Sequence, residues 1–245
     1  MAQQNLLNKP LVSLAIPLTI GFWSAVIITF FNVTSSFLMI PSWSLNPITP
    51  WHGIEAYAST FDFFQIASMV PGFLVVIPFL PMMAAIHYSS PPERRILSML
   101  GIAFAGISVA MLGFQYYSQF TVVRYNLTSG EHQALGFFVL GNPHAFFWPL
   151  EVLGYGFMSL STLFAGFVFS TSVLQRWIRG LFVTNGVIGI AGILAYPLGI
   201  STMAFLSGLA LWTLVFPAST VLLAINFKRK MKPGVETVQT NTGDA

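Results

Sequence analysis

Residues Ile96 to Tyr117 read ILSMLGIAFAGISVAMLGFQYY, a run of 22 residues without a charge, entered directly from the pair Arg94-Arg95. Wound as an α-helix at 1.5 Å per residue, such a run is about 33 Å long, which matches the hydrocarbon thickness of a bilayer. A strand is a poor alternative, because small residues recur at helical spacing (Gly101, Ala105, Ser108) and apolar and polar residues do not alternate. The reading is therefore a transmembrane helix with its basic end held at one membrane surface.

Working outward, the same pattern recurs. Six segments are long and apolar enough to span: Leu11 to Phe37, Phe63 to Tyr88, Ile96 to Tyr117, Phe146 to Leu174, Leu181 to Ile200 and Ser201 to Phe227. The expected fold is all-α, a polytopic membrane protein with six transmembrane helices in one bundle. The first segment follows Lys9 but is too long for a cleaved signal peptide and lacks a small-residue cleavage site, so it is expected to stay as a helix. Pro197 and Gly199 predict a tight turn between the last two spans, since proline cannot continue the ladder and glycine tolerates positive φ.

Composition agrees. Of 245 residues only 7% are charged and 55% are apolar, against about 25% charged in an average soluble domain. The net charge of +3 does not form the single basic stripe that nucleic-acid binding needs. The basic residues instead lie at the ends of apolar runs. With the N-terminus inside, Lys9, Arg94, Arg95, Arg176, Arg179, Lys228, Arg229, Lys230 and Lys232 fall on the cytoplasmic side and Arg124 alone falls outside. Lysine and arginine in short loops are retained in the cytoplasm, so both termini are expected there. Residues 228–245 are expected to form a basic and then disordered tail.

Several chemistries are excluded by residue content. There is no cysteine, hence no disulfide, thiolate nucleophile or iron–sulfur ligation. The histidines His52, His87, His132 and His144 show no metal-ligand spacing, no span contains lysine, and no Walker, HExxH, GxSxG or dinucleotide fingerprint is present. No cofactor or metal is expected. Partners are the lipid bilayer, a small-molecule ligand, or a membrane-protein partner or second copy.

Charged groups at membrane depth cost about 2.5 to 3.5 kcal/mol on insertion scales, so each needs a reason. Glu151 lies a turn inside the fourth span and Asp62 at the outer start of the second. The series His144, Trp148, Glu151, Tyr155, Met158, Thr162 advances in steps of three and four, which puts these side chains on one helix face. If neighbouring helices adjoin it, Asp62, Gln65, Gln115, Arg124, His144, Trp148, Glu151 and Tyr155 gather into an outward-facing polar pocket. Arg124 is the external cation available to pair with an acid. Such a cluster can be a structural lock between helices or a ligand or proton-handling site. Tyr116, Tyr117 and Trp43 are read as part of an interfacial aromatic belt. Asn185 is read as an interhelical hydrogen-bonding residue, and Gly186, Gly189 and Gly192 as a packing stripe. Pro71, Pro78 and Pro81 predict a kinked second span, or a broken transport helix.

The stretch Gly141-Asn142-Pro143-His144-Ala145-Phe146-Phe147-Trp148-Pro149-Leu150-Glu151-Val152-Leu153-Gly154-Tyr155-Gly156-Phe157-Met158 resembles a segment of six-helix prokaryotic membrane proteins of the domain-of-unknown-function type. The resemblance covers one helix and the approach to it, implies a multi-span fold, and carries no activity over. The expected role is a non-enzymatic binding or accessory component; the alternatives are a small transporter or channel and, third, a membrane enzyme.

Overall fold

The computed structural model describes residues 14–45, 51–142, 144–199 and 202–231, with backbone alone for 40–45, 63–66, 202–207 and 209. Among them every regular element is helical. The long helices are α1 (Ala15–Leu45), α3 (Phe63–Tyr88), α4 (Arg95–Ser118), α6 (Phe147–Gly166), α7 (Val173–Ala195) and α8 (Thr202–Lys230). Two short ones, α2 (Ile54–Ser59) and α5 (Arg124–Ser129), belong to the connections. Residues 11–13 of the expected first span and 232–245 of the expected tail lie outside the described residues, as do the side chains of Trp43 and Gln65.

Each long helix packs against the next in sequence, and α8 returns to pack against α1, so the six form a closed ring in chain order. Close approach at the closing seam depends on Gly21, where a Cβ would stand 2.6 Å from the Phe227 ring. Hydroxyls stitch the seams: Thr29 to Thr220 at 2.7 Å between α1 and α8, and Ser35 to the Ser68 carbonyl at 2.8 Å between α1 and α3. Between α4 and α6, Ser108 donates to the Gly154 carbonyl at 2.8 Å and Ser161 to the Gly101 carbonyl at 2.7 Å. Small hydroxylated residues suit this work because they bond to a neighbouring backbone without holding it away.

Five helical stretches among the described residues are long and apolar enough to cross a membrane: Ala15–Met39, Ala67–Tyr88, Pro92–Ser129, Val173–Ala195 and Ala210–Lys230. Large apolar side chains cover their outer faces, as on α1, where Ile16, Ile20, Trp23, Ile27, Phe30 and Phe37 are all exposed while Leu18, Ala25 and Ile28 are buried. The sixth long helix, α6, is the exception, because Trp148, Pro149, Glu151 and Tyr155 dilute its first half.

The structure moves several expected boundaries. Span four does not run from Phe146 to Leu174, nor span five from Leu181: α6 ends at Gly166 and α7 already starts at Val173. The break is a capped turn. Ser172 accepts from the Gln175 backbone N–H at 3.2 Å, satisfying one donor that the helix start leaves free, while the Gln175 side-chain carbonyl accepts from the N–H groups of Ser170 and Thr171 and fixes the turn before it. Arg176 and Arg179 are therefore helical, not loop, residues. Arg94 closes the other side of the turn, donating to the Phe167 carbonyl at 3.1 Å and to Ser170 Oγ at 2.6 Å. The stretch from Ser118, expected as a loop, stays helical through a π-turn (Gln119–Val123) and α5 to Ser129, stopping at Gly130 in the left-handed region with φ 80°. The helix α3 runs unbroken through Pro71, Pro78 and Pro81.

Candidate functional site

Glu151 stands on α6 between α4 and α7 and is half-buried. Its Oε1 accepts from the Tyr116 hydroxyl of α4 at 3.4 Å, and the Tyr116 hydroxyl shares a short hydrogen bond with the Tyr155 hydroxyl, one turn along α6 from Glu151. Either tyrosine hydroxyl can donate in that second bond. Tyr155 in turn packs edge-to-face on Trp212 of α8, ring centres 4.8 Å apart.

Gln115 completes this group and is its least satisfied member. It lies beside Glu151 and is fully buried, at 0% exposure. Its carbonyl oxygen has no hydrogen-bonding partner, and its amide nitrogen, turned to the Glu151 carboxylate, falls short of ordinary hydrogen-bond geometry. A buried amide left open costs about 1 to 3 kcal/mol. Both Gln115 and Tyr116 occupy the inward face of α4 because the buried positions Ser98, Gly101, Ala105, Ser108 and Leu112 advance in steps of three and four toward them.

A second polar group sits further along the same face of α6. Asn185 of α7 donates to Thr162 Oγ1 at 2.8 Å and to Ser159 Oγ at 3.5 Å, and Trp212 Nε1 donates to Ser159 Oγ at 3.2 Å. Here packing is tight: a Cβ at Gly189 would meet the Ser159 Cβ at 2.1 Å, and one at Gly186 the Leu163 Cβ at 2.5 Å. Gly192, in contrast, faces open space. One turn beyond Thr162, Phe182 lies against Gly166, where a Cβ would meet its Cβ at 3.1 Å, and Phe182 makes an edge contact with Phe169. The polar ladder from Glu151 through Tyr155, Ser159 and Thr162 thus ends on an aromatic plug.

Of the residues expected to gather, the structure brings together Gln115, Glu151 and Tyr155, and adds Tyr116 and Trp212. Tyr116, expected in an interfacial belt, is 92% removed from the surface, being 8% exposed. The others lie elsewhere. Arg124 is exposed and its Nε donates to the Phe120 carbonyl of its own helix, so no ion pair with Glu151 is formed. His144 is exposed, its backbone N–H bonded to Asn142 Oδ1 at 3.0 Å in an Asx turn that leads into α6. Trp148 Nε1 donates to the Leu140 carbonyl at 2.9 Å, tying the outer loop to the helix. Asp62 stands near Tyr57 of α2, whose phenol is pushed up by burial first and then by the Asp62 charge. That places Asp62 in an outer cap built from Val123, Leu127, Leu135 and Val139, with Ile54, Tyr57 and Phe61 against them. Gln119 pins this cap, its amide nitrogen donating to the Phe138 carbonyl at 2.7 Å.

Among the described residues no group of three or more His, Cys, Asp or Glu side chains is disposed to hold a metal. No protein family, curated protein or solved structure matches this chain.

Proposed function

We propose that the chain is a membrane protein of six spans with cytoplasmic termini, and that it acts as a non-enzymatic binding component. Its ligand site is the polar group of Gln115, Tyr116, Glu151 and Tyr155 in the outer half of the bundle. The sixth span is α6, which packs between α4 and α7 in the ring and so can bury its polar face against protein rather than lipid. Nine of ten basic residues on one side supports the orientation.

The observation that carries the binding reading is Gln115: a wholly buried amide whose carbonyl oxygen has no partner and whose nitrogen meets the Glu151 carboxylate only outside ordinary geometry. A residue kept only for packing has no reason to be polar and unsatisfied there, whereas one kept for a ligand is satisfied when the ligand arrives. Transport is the competing reading, and the ladder along α6 gives it some support. Phe182 against Gly166 speaks for a dead end.

The test is thermal unfolding of Gln115→Leu in detergent or nanodiscs. Removing an unsatisfied buried amide should leave the melting temperature unchanged or raise it. A clear drop means Gln115 is satisfied in a structural network, and the binding reading falls. Topology is checked separately by reporter fusions at Gly130 and Pro233, expected external and cytoplasmic respectively; matching signals would overturn the six-span count.

A further inference from the structure

We propose that the ligand of this site is a small organic ammonium ion carrying N–H groups, an inference that rests on the binding reading above and adds the ligand's chemistry.

Counting open valences leads there. The two tyrosine hydroxyls are engaged with each other and with Glu151, and the Gln115 amide nitrogen is turned to the same carboxylate. What remains open is the rest of the Glu151 carboxylate and the Gln115 carbonyl oxygen. Acceptors outnumber donors, so the complementary molecule is chiefly a donor. Charge points the same way. No lysine or arginine occurs between Arg95 and Arg124 or between Arg124 and Arg176, and Arg124 is exposed and bonded to its own backbone. Among the described residues no lysine or arginine therefore pairs with Glu151, and a cation brought by the ligand would favour its carboxylate form.

The walls fit an organic cation better than a bare metal ion. Tyr116, Tyr155 and Trp212 form a contiguous aromatic group, and ring faces attract ammonium groups while tolerating the attached carbon. A metal would need several further oxygen or nitrogen ligands, and the described residues offer no such set.

The full chain in nanodiscs is titrated by calorimetry with propylammonium, tetramethylammonium, propionamide and potassium chloride. Propylammonium should bind saturably, and tetramethylammonium, which has the charge without N–H donors, should bind about tenfold more weakly. Glu151→Gln should weaken propylammonium by about tenfold or more. The comparison of the two cations on the unaltered chain stands even if that variant does not fold. Equal binding of both cations, binding of potassium as tight as propylammonium, or tighter binding of propionamide overturns the ammonium proposal. So does the absence of binding by all four. The melting result for Gln115→Leu then shows separately whether the binding reading survives.

Discussion

Two polar groups share one face of α6 and are built on opposite principles. Around Ser159 and Thr162 the donors of Asn185 and Trp212 are matched to hydroxyls, and Gly189 lets α7 close to contact. Asn185 keeps only its carbonyl oxygen unpartnered, which is the more tolerable half of an amide to leave open. Around Glu151 the Gln115 carbonyl oxygen is open, its nitrogen meets the carboxylate outside ordinary geometry, and the Tyr116 bond to the carboxylate is long at 3.4 Å. The Ser159 group is a lock whose bonds are made in the folded chain. The Glu151 group has capacity that the folded chain does not use, so polar residues inside the bundle have two different reasons for being present.

The most severe way to break the lock is by volume. Gly189→Leu should cost about 3 kcal/mol or abolish folding, because its first side-chain carbon already collides with Ser159. Gly192→Leu, three residues on in open space, should be close to neutral. Unfolding of the two variants in matched detergent decides it, and similar losses for both would mean that the glycine stripe packs differently.

A smaller and more discriminating change is chemical. Asn185→Leu removes the 2.8 Å bond to Thr162, whose hydroxyl keeps the Ser159 carbonyl while Ser159 keeps Trp212, and should lower stability by about 1 kcal/mol. Gln115→Leu should cost less, because Glu151 keeps its Tyr116 bond. Unequal responses to the same amide-to-leucine change sharpen the comparison; equal losses erase it.

How much of this is legible in the residues depends on the kind of signal. The helix α3 occupies Phe63–Tyr88 as expected, since Asp62 precedes it and Ser89-Ser90-Pro91-Pro92 stops it. The α6 to α7 break is missed because Phe146 to Leu174 is apolar almost throughout. Its true marker is the short pattern Ser172-x-x-Gln175, a serine N-cap with a glutamine that ties down the preceding turn, rather than a hydropathy minimum. Between Ser118 and Gly130 there is neither proline nor glycine, so nothing local ends the helix where the charge of Arg124 suggests a loop. At the site, Glu151, Tyr155 and Gln115 follow from cost and periodicity. Tyr116 does not, because an aromatic near a span's end reads equally as an interfacial anchor, and only the buried face of α4 separates the two. Asp62 fails for the complementary reason: an acid at a helix start is as well served by a loop cap as by a bundle. Ser172→Ala tests the cap itself and should cost about 1 kcal/mol, seen as a lower unfolding midpoint without change at either polar group.

The smallest expected effect lies at the end of the bundle, where an ion pair adds to the packing of the cap. His132 Nδ1 lies 2.8 Å from Glu55 Oε2, joining the loop after α5 to α2. That hydrogen bond, more than the nearby Glu131 charge, raises the His132 pKa above its ordinary value. A histidine raised on folding contributes stability that is fully present below its unfolded pKa of about 6.5 and lost as pH rises through the higher folded value. The docking of α2 should therefore loosen on going from acid to mildly alkaline pH. Glu55 is 78% exposed, so the effect is modest and should fade in high salt. Hydrogen exchange across Ile54–Ser59, corrected for the intrinsic pH dependence of amide exchange, should show less protection on the alkaline side. His132→Gln should flatten the profile while Asn185→Leu leaves it unchanged. A profile that persists in His132→Gln would assign the pH response to another group, and the cap would then be held by its apolar contacts and Gln119 alone.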